Sequence, residues 1–214
     1  MSFFDAWQQM GAYMLETIKI FFLTLIFTLP LGLVITFGRM SKIKIIRVIT
    51  SVYISIMRGT PLMLQLLVVY FGPSIIFGLR GFDRFQAVIV GFVLNYAAYF
   101  AEIYRAGIES MPVGQYEAAK VLGYNKAQTF VKIILPQVVK RVLPPVTNEV
   151  ITLVKDTSLA FSISYMEMFA VAKQLTSSYS SMMPLLVAGV FFYVFNLLVA
   201  FTMNLIEKKM NYYR

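Results

Sequence analysis

The chain runs in long uncharged apolar stretches separated by short basic, polar ones. Residues 20–38, 59–79, 85–101 and 174–206 contain no Asp, Glu, Lys or Arg. An α-helix needs about 20 apolar residues to cross a bilayer core. These stretches therefore predict spans at about 13–38, 59–79, 85–104 and 184–206. A shorter uncharged run, 157–166, follows a polar stretch. Trp7 and Tyr13 stand before the first span, where amphipathic rings anchor at the membrane interface. The opening residues lack a basic n-region and a small-residue cleavage site, so no secretory signal is expected there.

Charge then orients the spans. Arg39, Lys42, Lys44 and Arg47 form one basic cluster. Arg105, Lys120, Lys126, Lys132, Lys140 and Arg141 form a second, and Lys208, Lys209 and Arg214 a third. Basic loops stay in the cytoplasm, so an even number of spans must separate successive clusters. Two fit between Arg47 and Arg105. Between Arg141 and Lys208 the 184–206 stretch supplies one, and the other must lie at about 143–165, although that segment holds Glu149, Lys155 and Asp156. The expectation is an all-α integral membrane protein, a single domain over 1–214. It has five transmembrane helices, its N-terminus outside, its C-terminus cytoplasmic and a cytoplasmic loop over about 105–141. A charge at the centre of a membrane helix costs about 2.5–3.5 kcal/mol. The fourth span is therefore expected to face protein or water rather than lipid. Five helices make a thin bundle, which points to association with further chains.

Two segments depart from the span pattern. In 43–58, Ile45, Ile46, Ile49, Val52, Tyr53 and Ile56 recur at helical spacing, with Lys44, Arg47, Ser51, Ser55 and Arg58 on the other side. This amphipathic helix ends at Gly59-Thr60-Pro61. It reads either as an interfacial helix on the inner leaflet or as a helix that turns Arg58 to a water-filled path. The loop 105–141 is too long for a plain connector. Pro112 and Gly114 end the third helix, Glu117 to Leu122 are good helix formers, and Gly123 is a natural stop. A second helix is expected over 126–134, stopping at Leu135-Pro136. The short helix around Glu117, Ala118 and Ala119 has small residues at its middle. It reads as a structural loop or as a knob for a partner's groove.

This loop resembles the EAA loop of permease subunits of ABC importers. The family pattern is EAA, three residues, G, nine residues, then I-x-L-P. Glu117-Ala118-Ala119, Gly123, Ile133, Leu135 and Pro136 stand at those spacings. Flanking words resemble the polar amino acid branch: Arg58-Gly59-Thr60-Pro61, Ala98-Tyr99-Phe100-Ala101-Glu102, Gly114-Gln115 and Lys155-Asp156-Thr157-Ser158-Leu159. Met111-Pro112 stands where the family often has Ile-Pro. The resemblance covers nearly all the chain after Arg39. It implies a type I ABC importer permease-like bundle in the bacterial plasma (inner) membrane. It also implies that Glu117, Ala118, Ala119 and Gly123 form the coupling helix that sits in a cleft of a cytoplasmic ABC ATPase. The implied partners are two such ATPase subunits, a second permease copy or paralogue, an extracytoplasmic amino acid binding protein, a polar amino acid substrate and the lipid bilayer.

In the polar fourth span, Glu149, Leu153 and Asp156 fall at i, i+4 and i+7 on one helix face. Asn95 lies near the middle of the third span and shares a face with Gly91, Ala98 and Glu102. The two carboxylates read either as internally paired, with Arg58, Arg105 or Lys155, or as a ligand site for an α-ammonium or a cationic side chain. Asn95 is interhelical glue or a ligand contact. Some importers that this chain resembles bind their amino acid within the membrane domain, on residues of these two helices. That resemblance implies a substrate site made of Asn95, Glu149, Leu153 and Asp156.

Composition narrows the alternatives. Hydrophobic residues make up 59% and charged residues 14%, against about 45–50% and about 25% in a soluble domain. A soluble fold of 214 residues has no interior large enough for that apolar surface. With no Cys and no His, thiol chemistry, imidazole relays and His- or Cys-ligated metals are absent. The net charge of +9 is read as topology rather than nucleic-acid binding. No G-x-x-x-x-G-K-[ST] pattern occurs, so ATP and magnesium are expected on a partner ATPase and no cofactor on this chain. An ion-gradient-driven secondary carrier or channel subunit is the alternative. It has no use for a docking helix, and no two matching halves are visible. A membrane enzyme would need the carboxylates or Lys155 with Ser158. The chain is expected not to be one.

Overall fold

The computed structural model describes residues 2–210, which places Arg214 of the third basic cluster outside the described residues. The described residues are helical almost throughout. Helix α1 spans Phe3–Arg39, α2 Lys44–Gly59, α3 Leu62–Phe77, α4 Arg84–Glu109 and α5 Val113–Val121. A short α6, Lys126–Thr129, continues through a π-helical turn at Phe130–Ile134 into α7, Leu135–Asp156. A 3₁₀ segment, Thr157–Ile163, then leads to α8, Met168–Tyr179, and α9, Met183–Met210.

The first span begins about ten residues earlier than the hydropathy pattern indicates. A capping box explains the early start: Ser2 Oγ accepts from Asp5 N–H, and the Asp5 carboxylate accepts from Ser2 N–H. At 37 residues, α1 is about 55 Å long and exceeds the membrane core. Its buried face is a stripe of small and hydroxyl side chains, Thr17, Thr24, Thr28, Gly32 and Thr36, which lets α4 pack close. A Cβ on Gly32 would stand 3.0 Å from Phe100 Cβ. Thr36 Oγ1 donates to Gly32 O at 2.8 Å and lies 3.1 Å from Ala101 O. Small residues at helix contacts replace the hydrophobic drive that lipid abolishes.

The second span differs from the expectation over 59–79. Proline at position 61 cannot donate the N–H that would bond Met57 O, and it restricts Thr60. The chain turns there, and α2 and α3 meet at a bend of 113°. Helix α3 has only 16 residues, about 24 Å, so it does not match a full crossing by itself. The predicted amphipathic helix is present as α2. Ile54 packs against Ala98 and Ala101 of α4, while Ile45, Ile49, Val52 and Ile56 stay exposed on this chain.

The second cytoplasmic helix does not stop at Leu135-Pro136. Leu135 N–H bonds Phe130 O across the π turn, and Pro136 enters the first turn of α7. Proline, with its φ fixed at about −65°, is tolerated in the first turn of a helix. The predicted fourth span over 143–165 is likewise divided: the α-helix ends at Asp156 and tightens to 3₁₀ through Ile163. By length and apolarity three helices suit a crossing, α1, α4 and α9, and the bent α2–α3 pair makes a fourth candidate. The charges of α7 keep it off that set.

Helix α7 crosses α4 at Gly107, where a Cβ would lie 2.2 Å from Val142 Cγ1. Gly107→Leu is therefore expected to splay this crossing and destabilise the chain by about 1–3 kcal/mol. A lower melting temperature of the purified protein, with Gly11→Ala as the unaffected control, checks this, since nothing lies within 4 Å of a Cβ on Gly11.

Candidate functional site

Helix α7 carries Glu149, Thr152 and Asp156 on the side turned to α4 and to the α2–α3 break. At 100° per residue, Glu149 and Asp156 point within about 20° of each other, and Thr152 lies about 60° from Glu149. All three line a cavity of about 370 Å³, a size within the range of small-molecule sites. Asn95, Tyr96 and Tyr99 of α4 form the facing wall, and Thr60, Pro61 and Leu62 close it at the helix break. Leu153, about 40° to the other side of Glu149, is fully buried in the apolar core. The structure thus brings Asn95, Glu149 and Asp156 to one cavity and turns Leu153 away from it.

Asp156 accepts a hydrogen bond from the Tyr96 hydroxyl at 2.7 Å. Tyr96 is itself only 2% exposed, so it fixes the carboxylate's direction. None of the cations considered as internal partners makes an ion pair with either carboxylate. Arg105 pairs with Glu102 and Glu109 on its own helix. Arg58 stacks over Tyr99, its guanidinium carbon 5.3 Å from the ring centroid. Lys155 is exposed. Among the described residues neither Glu149 nor Asp156 has an ion-pair partner. Two half-buried carboxylates lining one cavity of ligand size can chemically accept a cationic group.

Asn95 has a second duty. Its amide nitrogen donates to Met57 O at 3.1 Å and to Gln65 Oε1 at 2.9 Å. Gln65 Nε2 lies 3.0 Å from Met57 O and 2.8 Å from Thr60 Oγ1. Met57 O is the carbonyl that Pro61 leaves without a helical donor, and two side-chain amides satisfy it instead. The helix break is therefore held by the same residue that walls the cavity. Sequence reasoning missed Gln65 and Tyr96. The orphan carbonyl four residues before Pro61 was a legible signal for the first, whereas nothing local marks the second.

Beyond the far end of α4, α5 follows Pro112 and closes with a Schellman motif. Tyr124 N–H bonds Ala119 O and Gly123 N–H bonds Lys120 O, both at 3.0 Å, with Gly123 at φ +80°. Ala119 is buried and holds the helix to the chain, while Glu117, Ala118 and Gly123 are exposed. Val121 is 88% and Leu122 73% exposed, an apolar tip that none of the described residues covers. Arg141 of α7 donates to Ser110 O at 2.6 Å, and Gln137 donates to Gln115 at 3.4 Å. The Gln137 bond ties α5 to the first turns of the helix that carries Glu149 and Asp156, and the Arg141 bond ties that helix to the end of α4.

Known proteins resemble this chain in sequence and in fold. Residues 28–212 match the profile of the family described as binding-protein-dependent transport system inner membrane component. The chain is 37% identical over 195 residues to the arginine transport system permease protein of Bacillus subtilis, covering 91% of this chain and 89% of that one. It is 38% identical over 204 residues to an L-cystine transport system permease protein of the same organism, covering 92% and 85%. A crystal structure of an amino acid ABC transporter with histidines superimposes with a TM-score of 0.88 at 31% identity, over 98% of this chain and 99% of that one.

Proposed function

The chain belongs to the family of binding-protein-dependent transport system inner membrane components, and from that premise we propose that it moves a polar amino acid into the cytoplasm as the membrane permease of an ATP-driven importer. The observation that carries this reading is the pair of carboxylates, Glu149 and Asp156, free of ion-pair partners and sharing a cavity with Asn95. An amino acid brings the ammonium that such a cavity lacks. The same helix is bonded near its other end to the exposed α5 through Gln137 and Gln115, a route by which motion at the cytoplasmic face reaches the cavity.

In this reading the chain lies in the bacterial plasma membrane as a multi-pass subunit with its N-terminus outside and its C-terminus in the cytoplasm. The broken α2–α3 pair and the polar α7 complete five passes, α7 being shielded from lipid by α4 and by a second permease copy or paralogue. An extracytoplasmic binding protein delivers substrate. Two ABC ATPase subunits bind ATP and magnesium and grip α5 through Glu117, Ala118, Ala119 and Gly123. Closure of the ATPases favours one of two packings of the permease pair, and release favours the other. This chain performs no hydrolysis itself.

The test is uptake into proteoliposomes carrying the purified complex, the binding protein and internal ATP. Accumulation of L-arginine, L-glutamine, L-histidine or L-cystine that requires ATP supports the reading. Accumulation that instead follows an ion gradient without ATP contradicts it and makes the chain a carrier.

A further inference from the structure

Below the Glu149–Asp156 cavity lies a second one, of about 380 Å³, on the cytoplasmic side. The two share Tyr99 and Glu149. On α7 the lower cavity is lined by Arg141, Pro145 and Glu149 and the upper one by Glu149, Thr152 and Asp156. These residues follow one another at three- and four-residue steps and so form one continuous face. From Arg141 to Asp156 that face is about 22 Å long, most of a bilayer core of about 30 Å. Tyr99 divides the facing α4 in the same way. The two cavities are successive chambers of a single groove.

Their chemistry differs. The upper chamber contains two carboxylates and no cationic side chain. The lower chamber adds Arg58 and Arg141 to Glu149 and Glu102. Arg141 is occupied by Ser110 O and Glu102 by Arg105. Arg58 makes no ion pair among the described residues. It rests on the Tyr99 ring, which positions the guanidinium without satisfying its donors. A planar guanidinium presents paired N–H groups that match a carboxylate.

We propose that the lower chamber is a second binding site for the amino acid on its way out, with Arg58 taking the α-carboxylate while Glu149 keeps the α-ammonium. This rests on the reading of the chain as an amino acid importer. Glu149 is common to both chambers, so the ammonium keeps its counter-ion during the descent. Asp156 is exchanged for Arg58, and the ligand trades a cation-selecting site for one that requires the whole zwitterion. Tyr99 stands at the boundary, its ring held against Arg58 until the carboxylate arrives.

The absence of cysteine from this chain allows a direct test. Ala106→Cys places one thiol on the lower chamber wall, and its labelling by N-ethylmaleimide is followed by mass in the intact complex in nanodiscs without nucleotide. At ligand concentrations ten times the dissociation constant, labelling slows by about tenfold. At least one of L-arginine, L-glutamine, L-histidine and L-cystine is expected to give this protection. The decarboxylated amine of that amino acid is not. Arg58→Gln in the same background removes the protection, and Arg58→Lys, which keeps the charge but not the paired N–H groups, restores only part of it. Labelling that no amino acid slows overturns the proposal, as does protection that the amine gives equally or that survives Arg58→Gln. If Arg58→Gln does not assemble, the comparison of amino acid with amine on the otherwise unchanged chain decides. Failure of the import reading shows separately, as absence of ATP-dependent uptake while protection of the thiol persists.

Discussion

Asp156→Asn is expected to weaken amino acid binding to the complex by about 30-fold, the equivalent of about 2 kcal/mol for a lost charge-assisted hydrogen bond. Substrate-stimulated ATP hydrolysis falls with it. The substitution preserves volume, and an Asn side-chain oxygen still accepts from the Tyr96 hydroxyl that now bonds Asp156 at 2.7 Å. The cavity therefore keeps its shape and the complex still assembles. Glu149→Gln acts in the same direction. Because neither carboxylate has an ion-pair partner among the described residues, removing a charge strands no buried cation, and the effect falls on the ligand. Calorimetric titration of the purified complex and ATPase assays with and without amino acid measure both. Unchanged substrate dependence in both variants would return the pair to a purely structural role.

Glu117→Arg is expected to abolish transport without unfolding the membrane domain. Glu117 is exposed in α5 and bonds nothing within the described residues, so its replacement leaves the fold intact. In a docked interface, reversing a charge brings like charges together at a cost of about 3 kcal/mol, on the order of a hundredfold in partner affinity. Gly123→Val reaches the same outcome by another route. Its φ of +80° disfavours any side chain and a β-branched one most, so the Schellman closure and the direction of the exposed Val121–Leu122 tip are lost. Circular dichroism of the purified chain separates this from unfolding, because the other helices stay. Uptake at the normal rate by either variant, with its ATPase bound, contradicts the coupling role of α5.

The sequence carried much of this architecture because lipid and helix geometry leave few options. The uncharged stretches located α1, α4 and α9, and the glycine after Leu122 located the end of α5. The family pattern across Glu117 to Pro136 identified the importer class before any coordinates. Three features escaped. The bend between α2 and α3 is marked by Pro61, but its angle depends on where Asn95 and Gln65 place their amides, and both act across the fold. The hydroxyl stripe of α1 was hidden because Thr in an apolar run does not lower its hydropathy enough to show a face. In the site, i, i+4, i+7 spacing grouped Leu153 with Glu149 and Asp156. A helical face is about 100° wide, and the packing of α7 against α4 cuts it so that Thr152 lies inside the cavity and Leu153 in the core. Tyr96, next to Asn95 in sequence, reaches Asp156 only through that packing.

In the proposed importer, a chain with no nucleotide-binding pattern draws on a partner's ATP through the link between α5 and α7. An ion-driven carrier needs the cavity alone. Here the cavity-bearing helix α7 begins in the π turn that follows α6 and is bonded to α5 through Gln137 and Gln115 and to the end of α4 through Arg141. In the proposed mechanism, displacement of α5 is passed to α7 through these contacts.

Gentle detergent purification of the tagged protein from its native membrane, with every co-purifying chain identified by mass, tests this account most directly. It predicts an ATPase carrying a G-x-x-x-x-G-K-[ST] phosphate-binding loop, retained by the unaltered chain and lost with Glu117→Arg. No ATPase, under conditions that keep other membrane complexes whole, or an ATPase held equally by the Glu117→Arg chain, would contradict it.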